Sequence, residues 1–242
     1  TNKNIYSVSK NFFVKIIIYS KYYFFRLLTK FYIHRNKNAL FNTGFDGIDI
    51  TKYDIYKKSD IIHLHWINGL VNISSLKKIK KPIVWTVRDL WPVTGGCHHN
   101  INPINYIECT SYQSHCKKCP QLNSSSNFDL SYYIFRNKLN HYPKNMHLVG
   151  TSSWTLEKIK KSKLFKDHYS SHIPNLINLK NFYPDKKKDA QLKLGIKTKK
   201  KIILLGAQRF SDTWKGSKLL LQFLKKIDVS NYFFLIIGEL DI

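Results

Sequence analysis

The chain has 242 residues, of which 43% are hydrophobic and 23% are charged. This composition is typical of a globular protein and excludes a wholly disordered or fibrous chain. Lysine and arginine total 40 against 15 aspartate and glutamate residues, which gives a formal net charge of +25. Such a charge attracts acidic partners of any kind at low salt, so it limits the class of partner without defining a function.

Residues 12–33 form an apolar and aromatic segment that four cations interrupt, Lys15, Lys21, Arg26 and Lys30. The cations keep every apolar run below the about 18 residues that identify a membrane-spanning helix. The segment therefore predicts either a helix packed in a larger domain or a helix that lies on an anionic membrane surface with its aromatic side down. No secretory signal is recognisable.

Both ends of the chain lead us to expect a fragment. The chain begins at Thr1 and its one methionine is Met146, so this N-terminus is not expected to be a translation start. Near the other end, residues 232–237 predict a buried strand that is followed by only a few residues. We therefore expect the protein to continue on both sides.

From residue 60 onward, short apolar runs alternate with segments whose apolar residues have helical spacing. Strands that alternate with helices predict βαβ units and a parallel sheet. The predicted strands are 60–65, 82–87 and 146–150, and the predicted helices are 72–80, 129–142 and a helix that Ser152 or Ser153 caps and that ends at Lys161.

A second α/β unit is predicted after a lysine-rich linker that contains one short helix at most. The linker covers residues 176–200, and it is followed by a strand, a turn, a helix and another strand. We therefore predict an α/β protein with one domain over 1–176 and the linker and start of a second over 177–242. The four elements are strand 201–205, turn 206–214, helix 215–227 and strand 232–237.

The carboxyl ends of the predicted strands select the residues that could bind a ligand, because ligands of open parallel sheets bind there. Asp89 is a single carboxylate among many cations. It could orient a hydroxyl group or a histidine, or it could form an ion pair with Arg88. The residues that follow the first two strands are His65, Trp66, Asn68, Arg88 and Asp89.

Gly95 and Gly96 lie shortly after the second strand. Because glycine has no side chain, the pair could let the backbone approach a ligand closely or adopt a positive φ. A plain turn is an equal alternative.

All four cysteines lie in the connection of about 40 residues between the second strand and the helix at 129, which is far longer than usual. Their spacing is C-x11-C-x6-C-x2-C. Three interpretations remain open: a structural zinc site, reduced thiols in a packed loop, and disulfides. The cysteines are Cys97, Cys109, Cys116 and Cys119.

The stretch 206–216 contains a second candidate site. Lys215 is predicted to begin a helix, where a cation is unfavourable because of the helix macrodipole. The position becomes favourable if an anion such as a diphosphate binds between Lys215, Arg209 and the free helix amides.

Several motifs, read in order, resemble GT4-type glycosyltransferases of exopolysaccharide and colanic-acid biosynthesis. The resemblance implies a GT-B fold with two Rossmann-like domains. It also implies retaining transfer of a sugar from a nucleotide-sugar donor to an acceptor, without a catalytic metal. Our leading hypothesis is a cytoplasmic enzyme, associated with the inner face of the cell membrane, that acts on a glycan or lipid-linked acceptor. The motifs are residues 60–69, 82–98, 116–122, 173–175 and 206–216.

Site residues follow from the resemblance position by position. Arg209 and Lys215, with Gly206, match the positions that hold the donor diphosphate and would stabilise charge on the leaving nucleotide. Asp89 and His98 are assigned to catalysis, and Arg88 stands where many members have histidine. The acceptor side of the cleft is assigned to His65, Trp66, Asn68, Arg88, Gly95 and Gly96.

An alternative from another class is a basic, zinc-stapled module that binds nucleic acid or an anionic membrane. The lysine runs are dispersed between elements and do not form one stripe, so nucleic acid is not the expected partner. The resemblance also places an acidic region for the donor sugar after residue 242, so the chain as given is expected to be inactive.

Overall fold

The computed structural model describes residues 12–239 except 36, 38, 103 and 104. The chain divides into two compact units, one that extends to Leu176 and one that begins at Ile177. Each unit contains parallel strands joined through helices, so the predicted mixed α/β architecture with a parallel sheet is confirmed.

The first unit carries a four-stranded sheet and five helices in the residues described. A further set of short 3-10 turns organises the long connection after the second strand. The strands are β1 (Ile62–Leu64), β2 (Ile83–Val87), β3 (Met146–Gly150) and β4 (Tyr169–His172), and the helices are α1 (Phe12–Lys30), α2 (Asp54–Lys58), α3 (Ile73–Leu76), α4 (Leu130–His141) and α5 (Ser153–Lys161).

The four strands lie side by side in sequence order, and every neighbouring pair is parallel. Right-handed crossovers that all step in one direction place their helices on the same face of a sheet. Accordingly, α3, α4 and α5 share one apolar cluster with the inner residues of the strands. Trp85 and Leu148 lie at its centre and are fully buried.

The other face of the sheet is polar. Strand residues alternate between the two faces, so His63, His65 and His147 point away from the apolar cluster and are exposed. On this face, side chains of neighbouring strands form hydrogen bonds with each other. His63 Nε2 lies 2.8 Å from Thr86 Oγ1, and His147 Nε2 lies 2.9 Å from Ser171 Oγ.

Side chains cap the helices of this unit at the predicted positions. Asp129 accepts a hydrogen bond from Tyr132 N at 3.1 Å, and Ser152 accepts one from Thr155 N at 3.1 Å. These bonds satisfy backbone donors that the first turn of a helix leaves free. The predicted starts of α4 and α5 are therefore confirmed.

Two features of the first unit differ from the prediction. The helix predicted to end at residue 80 ends at Leu76, because Lys78 N and Ile79 N bond to carbonyls three residues back in successive turns. Strand β4 was not predicted, since Tyr169–His172 is short and polar. It pairs with β3 alone as an edge strand, where an apolar pattern is not required.

In the second unit, the described elements are α6 (Lys187–Lys193), β5 (Lys201–Arg209), α7 (Ser217–Leu224) and β6 (Tyr232–Glu239), with β5 parallel to β6. The predicted turn at 206 is wrong, because β5 continues to Arg209. The helix predicted from Lys215 begins at Ser217. Its N-cap is Gly216 at φ +78°, a conformation that glycine adopts without steric cost.

Helix α1 packs on the first unit along one side. The ring of Phe25 lies 5.2 Å from that of Phe45, and Leu28 packs against a small apolar cluster that includes Leu122 and Ile134. None of the helices in the described part of the chain combines the length and the apolar content that crossing a bilayer requires.

Trp85→Ala tests the centre of the apolar cluster. The side chain is fully buried, and its Nε1 donates to His65 O at 3.1 Å, so removing it opens a cavity beneath the end of β1. We expect the free energy of unfolding to fall by about 3–5 kcal/mol in chemical denaturation. Trp154→Ala is the matched control, because that ring is 48% exposed. Equal losses in the two variants would contradict this placement of the core.

Candidate functional site

Asp89 and His98 form a hydrogen-bonded pair after the end of β2. His98 Nδ1 lies 2.8 Å from Asp89 Oδ2, and the other carboxylate oxygen accepts a hydrogen bond from Trp91 N at 2.8 Å. The loop also closes through its backbone, since Leu90 N donates to His98 O at 3.1 Å. Of the three partners considered for Asp89, the structure therefore shows a histidine, which the carboxylate orients through a hydrogen bond.

Two further residues hold the His98 ring. The indole of Trp66 stacks on it, with ring centroids 4.8 Å apart and planes inclined by 22°. The amide of Asn42 faces Nε2 at 2.7 Å, and whether it accepts or donates depends on the orientation of the amide. His98 is only 1% exposed, so in this conformation its ring contacts protein groups and is closed to solvent.

Asn42 is a member of the site that the sequence did not indicate. It lies in the connection between α1 and α2, where the sequence shows no strand or helix pattern. Its backbone is tied to the same loop, because Asn42 N donates to Gly96 O at 2.9 Å and Asn42 O accepts from Trp91 Nε1 at 2.9 Å. Only the tertiary structure brings it to His98.

Arg88 binds Asn175, with Nη1 2.8 Å from Asn175 Oδ1. The alternative ion pair between Arg88 and Asp89 is not among the salt bridges of the described residues, since Asp89 binds His98 instead. The reason is geometric. Successive side chains at the end of an extended strand point to opposite sides, so neighbours cannot face each other.

A cleft of about 410 Å³ opens on the polar face of the sheet near its carboxyl edge. Two of the predicted site residues, His65 and Arg88, lie in it. Partial burial, with the nearby His63 and Arg88, lowers the pKa of His65, so this imidazole is neutral at neutral pH. The polar side chains that line the cleft are His63, His65, Thr86, Arg88, Thr151 and Asn175.

Gly95 and Gly96 are buried inside the loop, so their backbone approaches other protein atoms and no open cleft. A Cβ added to Gly95 would lie 2.3 Å from Ser131 O. Gly96 has φ +123°, and its added Cβ would lie 2.7 Å from the Phe41 ring. The glycines are therefore needed for packing. Asn68, also predicted for the cleft, has a buried Oδ1 that accepts no hydrogen bond from the described residues.

Lys138 is a buried cation beneath this loop. Its Nζ donates to Trp91 O and, at 3.0 Å, to Thr94 O, and it lies 3.7 Å from the centroid of the Trp91 ring. Burial disfavours the charged form and lowers the pKa of Lys138 to about 7. The signal in the sequence is that Lys138 follows Ile134 by four residues on the apolar stripe of α4.

All four cysteines line one small cavity of about 20 Å³ under the loop, and all four are free thiols. Cys97, Cys116 and Cys119 are buried, whereas Cys109 is partly exposed. Cys116 Sγ accepts a hydrogen bond from Gly95 N at 3.1 Å. In the described part of the chain, no three histidine, cysteine or carboxylate side chains are already arranged to hold a metal ion.

In the second unit, the predicted diphosphate residues are at the surface. Arg209 Nε lies 3.0 Å from Glu239 Oε2, and both side chains are about two-thirds exposed. Lys215 is exposed and ends a 3-10 turn two residues before α7. A Cβ added to Gly206 would meet no atom within 4 Å, so this glycine leaves open space beside β5.

Comparison with known proteins gives one partial similarity. Over 89 residues, or 35% of this chain, the sequence is 30% identical to a protein of Escherichia coli K12 named "Putative colanic acid biosynthesis glycosyl transferase WcaC". The chain covers 20% of the length of that relative. No protein-family model matches, and no solved structure matches significantly. The similarity supports a glycosyltransferase role at a coarse level.

Proposed function

We propose that the protein is a metal-independent, retaining glycosyltransferase of the GT4 type with a GT-B fold. It transfers a sugar from a nucleotide-sugar donor to a glycan or lipid-linked acceptor of cell-surface polysaccharide synthesis. The observation that carries the proposal is the oriented Asp89–His98 pair after the end of β2, where Arg88, on the other side of the chain, lines a cleft. The partial similarity to a relative named as a glycosyl transferase supports the same reaction class.

Asp89 is proposed as the catalytic carboxylate of the acceptor side. Its side chain is 18% exposed, and each of its oxygens keeps a lone pair beyond the hydrogen bonds from His98 and Trp91. An acceptor hydroxyl can therefore bind it. The negative charge also stabilises the positive charge that develops on the sugar carbon as the glycosidic bond to the nucleotide breaks.

The cleft suits a ligand that has both apolar and hydroxyl surface, such as a sugar ring, because Val84, Val149 and Ile173 line it beside the polar groups. Its lining offers a neutral His65, the Thr86 and Thr151 hydroxyls and the Arg88 guanidinium. These groups present both hydrogen-bond donors and acceptors. The cleft is proposed as part of the acceptor site, with His65 and Arg88 as its contact residues.

Arg209 and Lys215 are proposed to bind the donor diphosphate. The Arg209–Glu239 pair is exposed, and exposed ion pairs contribute only about 0–1 kcal/mol, so a diphosphate can replace Glu239 at little cost. Lys215 is exposed before the N-terminus of α7, and it forms no ion pair with the described residues of the second unit. Both cations would neutralise the charge that builds on the leaving nucleotide.

The exposed side of α1 is proposed to bind an anionic membrane. Phe13, Ile16, Ile17, Phe24 and Leu27 recur at helical spacing on one face, and all are 48–73% exposed. The helix has four basic residues and no carboxylate. An exposed apolar stripe flanked by cations matches the acyl chains and the anionic headgroups of a lipid surface.

Asp89→Asn tests the acceptor-side carboxylate. The amide keeps an oxygen for Trp91 N but loses the negative charge, so we expect the turnover number of the complete gene product to fall roughly 100-fold or more. The assay is transfer of radiolabelled sugar from a panel of nucleotide-sugars. Asp167→Asn, an exposed site in the same unit, is the control and should retain full activity. Full activity of Asp89→Asn would remove the catalytic role.

Lys215→Ala tests the donor site. Because one cation on the leaving diphosphate is lost, we expect transfer and donor hydrolysis to fall roughly 100-fold, with partial recovery in Lys215→Arg. Lys193→Ala serves as the control, since Lys193 pairs with Asp185 on the surface of the same unit. An unchanged rate in Lys215→Ala would contradict the diphosphate role.

Phe24→Ser tests membrane binding through α1. Burial of one phenylalanine contributes about 1.5–3 kcal/mol, so the partition coefficient on phosphatidylglycerol vesicles should fall roughly 10–100-fold in a flotation assay. Phe182→Ser makes the same change at an exposed site of the second unit and should bind normally. The proposal fails if the wild-type protein does not bind anionic vesicles, or if Phe24→Ser binds them as tightly as Phe182→Ser.

A further inference from the structure

The four cysteines are brought together by the fold although they are far apart in the loop. They come from three separate stretches of the connection between β2 and α4, yet all four line the same cavity of about 20 Å³. That volume is close to the space of one ordered water molecule or a single ion. Since the chain contains four cysteines in all, every thiol of the protein lies at this one place.

The local backbone holds two of these sulfurs in place. Cys116 and Cys119 flank a turn in which Lys118 has φ +47°, and Cys119 N donates to Asp129 Oδ2 at 2.7 Å. Gly95 N donates to Cys116 Sγ, which orients that sulfur as an acceptor. The pair Cys-x-x-Cys on a tight turn is the usual half of a tetrahedral zinc site.

The charge around the cavity is a second, independent observation. Lys138 is 0% exposed, and its hydrogen bonds go to the neutral carbonyls of Trp91 and Thr94. A buried ammonium is costly unless negative charge lies nearby. Thr94, whose carbonyl Lys138 binds, also donates through Oγ1 to Cys97 O at 2.6 Å, and the next residue, Gly95, donates to Cys116 Sγ, so the amino group lies beside the cysteine loop. Neutral thiols would supply no charge, whereas four thiolates around Zn²⁺ carry a net charge of about −2.

We propose that Cys97, Cys109, Cys116 and Cys119 bind one structural Zn²⁺, and that Lys138 balances the charge of the thiolate site. Each thiol releases a proton when it binds the metal. The sulfurs line the cavity without meeting at one point in the structure, so binding turns the cysteine side chains inward until each Zn–S distance is about 2.3 Å. The zinc is structural, because no position remains open for a substrate.

The site explains how the long loop keeps Asp89 in place. The same connection carries His98 next to Cys97, and it carries the carbonyls that Lys138 binds. A metal that joins residues 97, 109, 116 and 119 therefore fixes the loop at four points. The proposal does not depend on the reaction that the protein catalyses.

Metal content and sulfur coordination test this site directly. The full chain, purified under reducing conditions without chelator, should contain one zinc per molecule by mass spectrometry. X-ray absorption at the zinc edge should show four sulfurs at about 2.3 Å. Less than a tenth of a zinc per chain would overturn the proposal. Thiol titration would then identify what replaces it: four reactive thiols mean a reduced loop, and fewer mean disulfides.

Cobalt substitution distinguishes the loss of a metal ligand from the loss of the folded structure. Co²⁺ bound by four thiolates should give strong sulfur-to-metal charge-transfer absorption in the full chain. In Cys109→Ser, the ligand at the partly exposed position, this absorption should weaken while circular dichroism stays unchanged. Ser114→Ala, an exposed change on the same loop at a residue that does not line the cavity, should leave both signals intact. Full charge-transfer intensity in Cys109→Ser would show that Cys109 is not a ligand and would overturn the four-cysteine site.

Discussion

The site of the first unit depends on the hydrogen bonds that the buried amino group of Lys138 donates to the loop after β2. The side chain extends from α4 to the carbonyls of Trp91 and Thr94 and packs against the Trp91 ring. Those carbonyls belong to the turn between Asp89 and His98. Because a buried amino group must keep its hydrogen bonds whether it is charged or neutral, moving the turn away from α4 would leave Lys138 Nζ unpaired and cost free energy. The carboxylate and the imidazole are held as a consequence.

The one-directional order of β1 to β4 is the second constraint. It places the connecting helices on one face of the sheet and leaves a polar face with exposed histidines. The cleft with His65 and Arg88 lies on that polar face, at the edge where the strands end. Asp89 follows the same strand end as Arg88, but its side chain points to the other side, binds His98 and does not line the cleft.

Local signals made part of this structure predictable. The helices α4 and α5 begin where Asp129 and Ser152 provide capping side chains. The strands β2 and β3 coincide with short apolar runs in the sequence. Edge strand β4 has no such run, and its pairing with β3 depends on the sheet already being formed. In the second unit, the position of Gly216 in the left-handed region sets the start of α7 and moves Lys215 off the helix.

The sequence by itself determined the α/β class, the order of most strands and helices, and the choice of Asp89 and the cysteine loop as chemical candidates. These properties depend on local periodicity, capping and residue type, which are written along the chain. Only the tertiary structure decided that Asp89 binds His98 and not Arg88, that Asn42 and Trp66 hold the imidazole, and that four distant cysteines share one cavity above Lys138. Such contacts join residues far apart in sequence, and they follow from the packing of loops that carry no periodic signal.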